Sequence, residues 1–219
     1  MNTGEVASLF RGYTDEADKT FLTDADVKIY LDIGYRQFRR YVNTLMPPAY
    51  AAQVDIELVD ADSYNLATGA VKLLGASATA KLHKLLGISS LDSNDDVSLF
   101  YTAVASREVL MDMVTFGGGL YYFENSTLYF STKMTRTFRL TYIPQPTVDF
   151  SAASAFIDDY ESFHDLIALL AYDQYAVRDT ATNLQLAPLL NRRVAEFQDF
   201  LSVGRTPDAY ATVIDTQNW

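Results

Sequence analysis

Along residues 21–45 the apolar positions Val27, Tyr30, Leu31, Tyr35, Phe38, Tyr41, Val42 and Leu45 recur every three or four residues, which is one stripe of an α-helix. Thr23 stands where an N-cap belongs, Asp26 three residues on completes a capping box, and Leu22 and Val27 occupy the positions of a hydrophobic staple. Pro47 and Pro48 close the segment. Asp24 and Asp26 lead and Arg36, Arg39 and Arg40 follow late, an order that complements the helix dipole. Upstream, residues 3–12 predict a short helix with Thr3 as N-cap and Val6, Leu9 and Phe10 as its apolar side, and residues 13–20 read as a polar link.

After the prolines the period changes from 3.6 to 2. Val54, Ile56 and Leu58 alternate with Asp55 and Glu57 as on a half-buried strand. Further apolar runs at 71–74, 82–88, 97–103, 120–123, 128–131 and 137–143 continue the β region, with turn-forming sets at 63–65, 89–96 and 117–119. The clearest hairpin joins 120–123 to 128–130 through Glu124-Asn125-Ser126-Thr127 and carries Tyr121, Tyr122 and Tyr129 for cross-strand pairing. Residues 106–113 read as one or two helical turns within this region. Pro144 and Pro146 end it, since each lacks the N–H a ladder needs.

Helical spacing then returns. Asp158 or Asp159 caps a segment with Phe163, Leu166, Ile167, Leu170, Tyr172 and Tyr175 on its apolar face, ending near Arg178. A last helix over residues 187–203 holds Pro188 in its first turn, lines up Leu189, Leu190, Val194, Phe197 and Leu201, and stops at Gly204. The expected fold is α+β: a helical bundle from the N- and C-terminal segments (1–52 and 151–204), an inserted antiparallel β domain (53–150), and a C-terminal arm (205–219). No fixed-period repeat is present, which disfavours a solenoid or propeller.

With 49% hydrophobic and 21% charged residues, the 219-residue chain has the composition of a core-forming protein. Its net charge of −11 argues against general nucleic-acid binding, which needs a basic footprint. The longest stretch without Asp, Glu, Lys or Arg is 14 residues, 41–54, and it contains two prolines, so no membrane span is expected. The first ten residues lack the basic region and apolar run of a signal peptide, so export is not expected. There is no cysteine, hence no disulfide, thiolate ligand or thiol nucleophile.

No residue set names a reaction. His83 and His164 lie 81 positions apart, and neither has another metal-ligating residue at a local ligand interval. Residues 92–96, Asp-Ser-Asn-Asp-Asp, open like a calcium loop but place Val97 and Ala103 where an EF-hand needs Gly and Glu; a solvated turn is the expectation and a loosely held cation the lesser reading. Gly117-Gly118-Gly119 lacks the Lys-Ser/Thr of a P-loop, no Gly-x-Ser-x-Gly elbow exists, and Asn125-Ser126-Thr127 reads as a hairpin turn rather than a glycosylation site. The expectation is therefore a protein that is not an enzyme and has no catalytic, cofactor-binding or metal residues. Arg36, Arg39, Arg40, Arg192 and Arg193 form the local basic concentration. They read either as solvated faces, with Asp24–Lys28 and Asp32–Arg36 as i,i+4 pairs, or as a contact surface for an acidic partner.

The segment 21–27, Phe-Leu-Thr-Asp-Ala-Asp-Val, together with 30–36, Tyr-Leu-Asp-Ile-Gly-Tyr-Arg, resembles the opening helix of head-to-tail connector (adaptor) proteins of tailed bacteriophages. Residues 163–179 and the final helix with Arg192, Arg193 and Phe197 resemble their paired C-terminal helices, and the exit 142–146, Tyr-Ile-Pro-Gln-Pro, is similar to the end of the β insertion in their tail-tubular variants. The resemblance implies a non-enzymatic virion subunit without cofactor: a homo-oligomeric ring of twelve copies at the head–tail junction. It would bind the portal protein and a tail or nozzle protein, let DNA pass without sequence-specific binding, and reside in the host cytoplasm during assembly. Interface candidates are Arg36, Arg39, Arg40, Tyr121, Tyr122, Tyr129, Arg192, Arg193, Arg205, Tyr210 and Trp219, with 205–219 as an arm to the portal. The alternative is a β-rich accessory module that binds a glycan or a protein partner through the tyrosine-rich hairpin.

Overall fold

Thr23 opens the long helix as its neighbours require: its Oγ1 accepts the Asp26 N–H (3.2 Å) and the Asp26 carboxylate accepts the Thr23 N–H (3.2 Å). Leu22 and Val27, the staple pair, are both buried. The computed structural model describes residues 1–15, 22–75, 78, 80–112, 119–179 and 186–203. In chain order the elements are α1 (Thr3–Thr14), α2 (Asp24–Leu45), β1 (Ala52–Asn65), β2 (Leu82–Leu91), β3 (Val97–Ala103), α3 (Arg107–Asp112), β4 (Gly119–Glu124), β5 (Thr127–Pro144), α4 (His164–Asp179) and α5 (Leu186–Val203). Short 3-10 turns occupy Pro47–Tyr50 and Glu161–Phe163. The chain divides into two compact units, Met1–Ala49 with Pro146–Trp219, and Tyr50–Gln145.

In the first unit α4 is the buried element. All seven residues from Leu166 to Tyr172 are at most 7% exposed, the condition of a helix that is apolar all round. α1, α2 and α5 pack against it. Phe38 of α2 stacks on Phe197 of α5 with centroids 4.6 Å apart, and Phe10, Tyr30 and Tyr175 meet at 5.6–6.2 Å. The cap of α1 is Asn2, reciprocated by Glu5, and not Thr3, whose hydroxyl is buried and donates to the Ala152 carbonyl. Gly204, the expected stop of α5, lies outside the described residues.

The second unit corrects the expected architecture. The chain is α+β, but it is not a helical bundle with an inserted antiparallel β domain: among the described residues there are five α-helices and a five-stranded sheet in the order β1-β5-β2-β3-β4, closed by β4 pairing back to β5 into a four-strand barrel. Nor is the sheet antiparallel throughout, because β3 and β4 run parallel, Tyr101 opposite Gly119. Two physical facts produce this. A parallel pair needs a crossover, and α3 lies in that connection. And β5, 18 residues long, reaches β4 with its first residues and β2 with its last. The runs 128–131 and 137–143 belong to this one strand, since Thr132, Thr135 and Thr137 suit extended backbone as well as a loop.

Other expected boundaries move for local reasons. Residues 63–65 are not a turn but continue β1, pairing with 129–127 of β5. Ser89 and Ser90 are buried in β2, and the turn begins only at Asp92. Residues 71–74 are not a strand: Leu73 is buried in a loop, its N–H donating to the Leu66 carbonyl (2.9 Å). The barrel is filled by Ile56, Leu58, Ile88, Leu128, Leu140 and an aromatic group in which Phe130 stacks on Phe138 at 4.6 Å with Tyr101 edge-on at 5.1 and 5.7 Å. Gly119 makes the parallel register feasible, because a Cβ there would stand 2.8 Å from the Tyr101 ring.

Candidate functional site

In the barrel unit the hairpin β4–β5 turns through Asn125 and Ser126 at φ 47° and 69°, a two-residue loop in place of the expected four, with both central residues left-handed as a type I′ turn requires. Strand alternation then separates the three candidate tyrosines. Tyr121 points inward, 8% exposed, and burial pushes its phenol up. Tyr122 and Tyr129 face each other across the ladder on the outside, half-buried, with rings stacked at 6.4 Å. The Arg107 guanidinium lies over Tyr129 at 4.5 Å, so α3 caps the pair.

The sheet also carries a feature that the sequence reading left out. β3 pairs with β2 along Val97–Tyr101 but with β4 only from Tyr101 to Ala103, so among the described residues the outer edge from Val97 to Phe100 faces no strand. Phe100 is 75% exposed, and Val97 and Leu99 are exposed as well. Among the described residues β1, at the far end of the strand order, pairs with β5 alone. Such edges are where another chain adds a strand. Nearby, the Asp92 carboxylate accepts the N–H groups of Asn94 (2.8 Å) and Asp96 (3.0 Å), so it orders its own turn. No group of three or more metal-ligating residues is found among the described residues.

In the helical unit the arginine candidates disperse. Arg36 is exposed and lines a groove of about 310 Å³ with Lys28, Asp32, Tyr35 and residues 146–149. Arg40 is exposed, whereas Arg39 is buried at 7% beside Tyr35 and is no surface residue. Arg192 is largely exposed with Glu196 at 3.5 Å. Arg193 turns inward: its Nε and Nη2 grip Asp165 at 2.7 and 2.5 Å, Nη2 also reaches the Ser162 carbonyl (2.9 Å), and Nη1 meets Glu196 (2.7 Å). These carboxylates raise the Arg193 guanidinium above its ordinary value, the Asp165 hydrogen bond most of all. The expected i,i+4 pairs re-partner. Lys28 takes Asp32 (2.9 Å), which raises its ammonium, and Asp24 takes Arg11 (2.8 Å). Arg205, Tyr210 and Trp219 lie outside the described residues.

A polar core that sequence spacing did not reveal sits ahead of α4. His164, fully buried, contacts the Met1 carbonyl through Nδ1 (2.9 Å) and Asp158 Oδ1 through Nε2 (2.8 Å). Asp158 is thus drawn inside; its Oδ1 accepts the Tyr160 N–H (3.0 Å) and its Oδ2 the Tyr35 hydroxyl (3.3 Å). Burial first and the Asp158 charge second push the Tyr35 phenol well above its usual range. His164 between Phe163 and an apolar run was the available sign of a core histidine. No helix among the described residues is long and apolar enough to cross a membrane. No family model matches the chain, and no curated protein matches it.

Proposed function

We propose that this chain is a non-enzymatic structural subunit that assembles head-to-tail into a ring at the head–tail junction of a tailed-phage virion, between portal and tail proteins, around the DNA path. The reading rests on the resemblance of residues 21–36 and 163–197 and on one structural observation, that among the described residues the sheet has open edges at β1 and at Val97–Phe100. A contact joining the β1 edge of one copy to the β3 edge of the next is heterologous, and a heterologous contact whose rotation closes makes a ring. Phe100, Val97 and Leu99 supply apolar area to bury in it. A net charge of −11 suits a conduit wall, since an acidic surface repels phosphates and lets DNA slide.

Sedimentation and negative-stain imaging of the full chain test the reading. The expected result is a closed ring, twelve copies by the resemblance, that Phe100→Asp converts to monomer while its circular dichroism stays unchanged. A chain that remains monomeric at high concentration and in the presence of portal protein overturns it. The stacked Tyr122–Tyr129 pair under Arg107 favours the second reading, a module that binds a glycan or a protein partner by stacking. A stable monomer whose glycan binding is lost in Tyr122→Ala marks that case.

A further inference from the structure

His164 meets an acceptor on each side. The Met1 carbonyl has no hydrogen to give, so the Nδ1 contact at 2.9 Å requires a proton on Nδ1. On the other side Nε2 lies 2.8 Å from Asp158 Oδ1, and that carboxyl already accepts the Tyr160 N–H and the Tyr35 hydroxyl. A neutral ring beside an ionised Asp158 would set two lone pairs against each other at hydrogen-bond distance inside a site where His164 is 0% and Asp158 6% exposed. One more proton, on Nε2 or on Oδ1, turns that contact into a hydrogen bond. We propose that His164 and Asp158 hold one such proton between them in the folded protein, and that it fastens the N-terminal segment through the Met1 carbonyl.

The surrounding groups support this assignment. From α2 the Tyr35 phenol faces Asp158, with Arg39 beside that phenol. From the turn before α4 come Asp158 itself and Tyr160, whose phenol is raised by burial, then by Asp158 and Asp159. α1 brings main chain: Met1 offers its carbonyl, while the exposed Glu5 carboxylate is spent on the Asn2 N–H (2.8 Å). On α4, Asp165 is taken by Arg193. Removing the proton to bulk water breaks the Nε2–Oδ1 bond and loosens the ring that holds Met1 in place.

Imidazole ¹⁵N spectra of the Asp158→Asn chain should show the His164 ring with its proton on Nδ1 alone, against the Met1 carbonyl, because the carboxylate that shares the second proton is gone. Imidazole ¹⁵N and carboxyl ¹³C spectra of the unmutated chain provide a readout that needs no variant, with the exposed His83 as the reference ring. A proton on Nε2 or on the Asp158 carboxyl at pH 7.5 is the expected result; Nε2 bare beside an ionised Asp158 overturns the proposal.

Discussion

Gly34 on α2 lies so close to α4 that a Cβ placed on it would stand 2.5 Å from the main-chain oxygen of Ile167 and 2.9 Å from the nitrogen of Ala171. Both atoms belong to backbone and cannot swing aside, so Gly34→Ala pushes the two helices apart. The gain in helix propensity, roughly 1 kcal/mol, is outweighed by overpacking at about 1–3 kcal/mol plus the loss of contacts around the displaced helix. Gly12 on α1 has nothing within 4 Å of its would-be Cβ, and there the propensity term stands alone. Urea unfolding should show a lower midpoint for Gly34→Ala and a higher one for Gly12→Ala.

Arg193 ties the start of α4 to α5 through both oxygens of Asp165, with its guanidinium 5.2 Å from the Phe163 ring. The side chain is only 20% exposed, so solvent screens the pair weakly. Arg193→Ala should cost roughly 2 kcal/mol, and Arg193→Lys should recover less than half of it, because a single ammonium cannot make the two-point contact. A double-mutant cycle with Asp165→Asn measures the coupling. The same assay on Arg192→Ala, whose side chain is 68% exposed, should show almost no change.

The hairpin turn places a serine at φ 69°, a conformation that glycine takes without penalty. Ser126→Gly therefore converts Asn125-Ser126 to the favoured type I′ pair and should stabilise the protein by about 0.5–1 kcal/mol. Thermal unfolding checks the sign. Ser126→Val, with a branched Cβ in the left-handed region, should move the midpoint the other way.

Asp55 and Arg139 are direct partners across β1 and β5, joined by two bonds of 2.9 Å. The Arg139 hydrogen bond holds the Asp55 carboxyl below its ordinary range. The folded protein thus binds this proton less readily than the unfolded chain, whose aspartates titrate around 3.9. The pair's contribution is present above that value and disappears as pH falls through the lowered folded value. In acid titrations of stability, Arg139→Gln should remove this part of the pH dependence below pH ~4. Because the Asp55 side chain is 42% exposed, the effect should shrink further at 1 M salt.

Local chemistry made the helices legible. The Thr23–Asp26 capping box, the Leu22–Val27 staple and the stripe through Phe38 and Val42 involve residues within a few positions of each other, and their outcome needs no distant partner. β3 over residues 97–103 was legible for the same reason. The candidate site was legible only in part. Tyr122 and Tyr129 follow from alternation along a hairpin, but alternation also sends Tyr121 inside, and Arg39 and Arg193 are turned from surface charges into buried or strapped ones by the helices beside them.

By itself, then, the sequence determined where most helices begin and that a strand-rich stretch lies between them, because capping, periodicity and proline act over a few residues. Only the tertiary structure decided that β4 returns to β5 to close a barrel, that β3 and β4 run parallel, and that Val97–Phe100 is left as an open edge among the described residues. Only it brought Met1 to His164, 163 positions away, and turned Asp158 from an expected helix cap into that histidine's partner. The reason is the same in each case. Strand pairing and buried hydrogen bonds are made between groups far apart in the chain, and their energy depends on which alternatives remain unsatisfied once the core has closed.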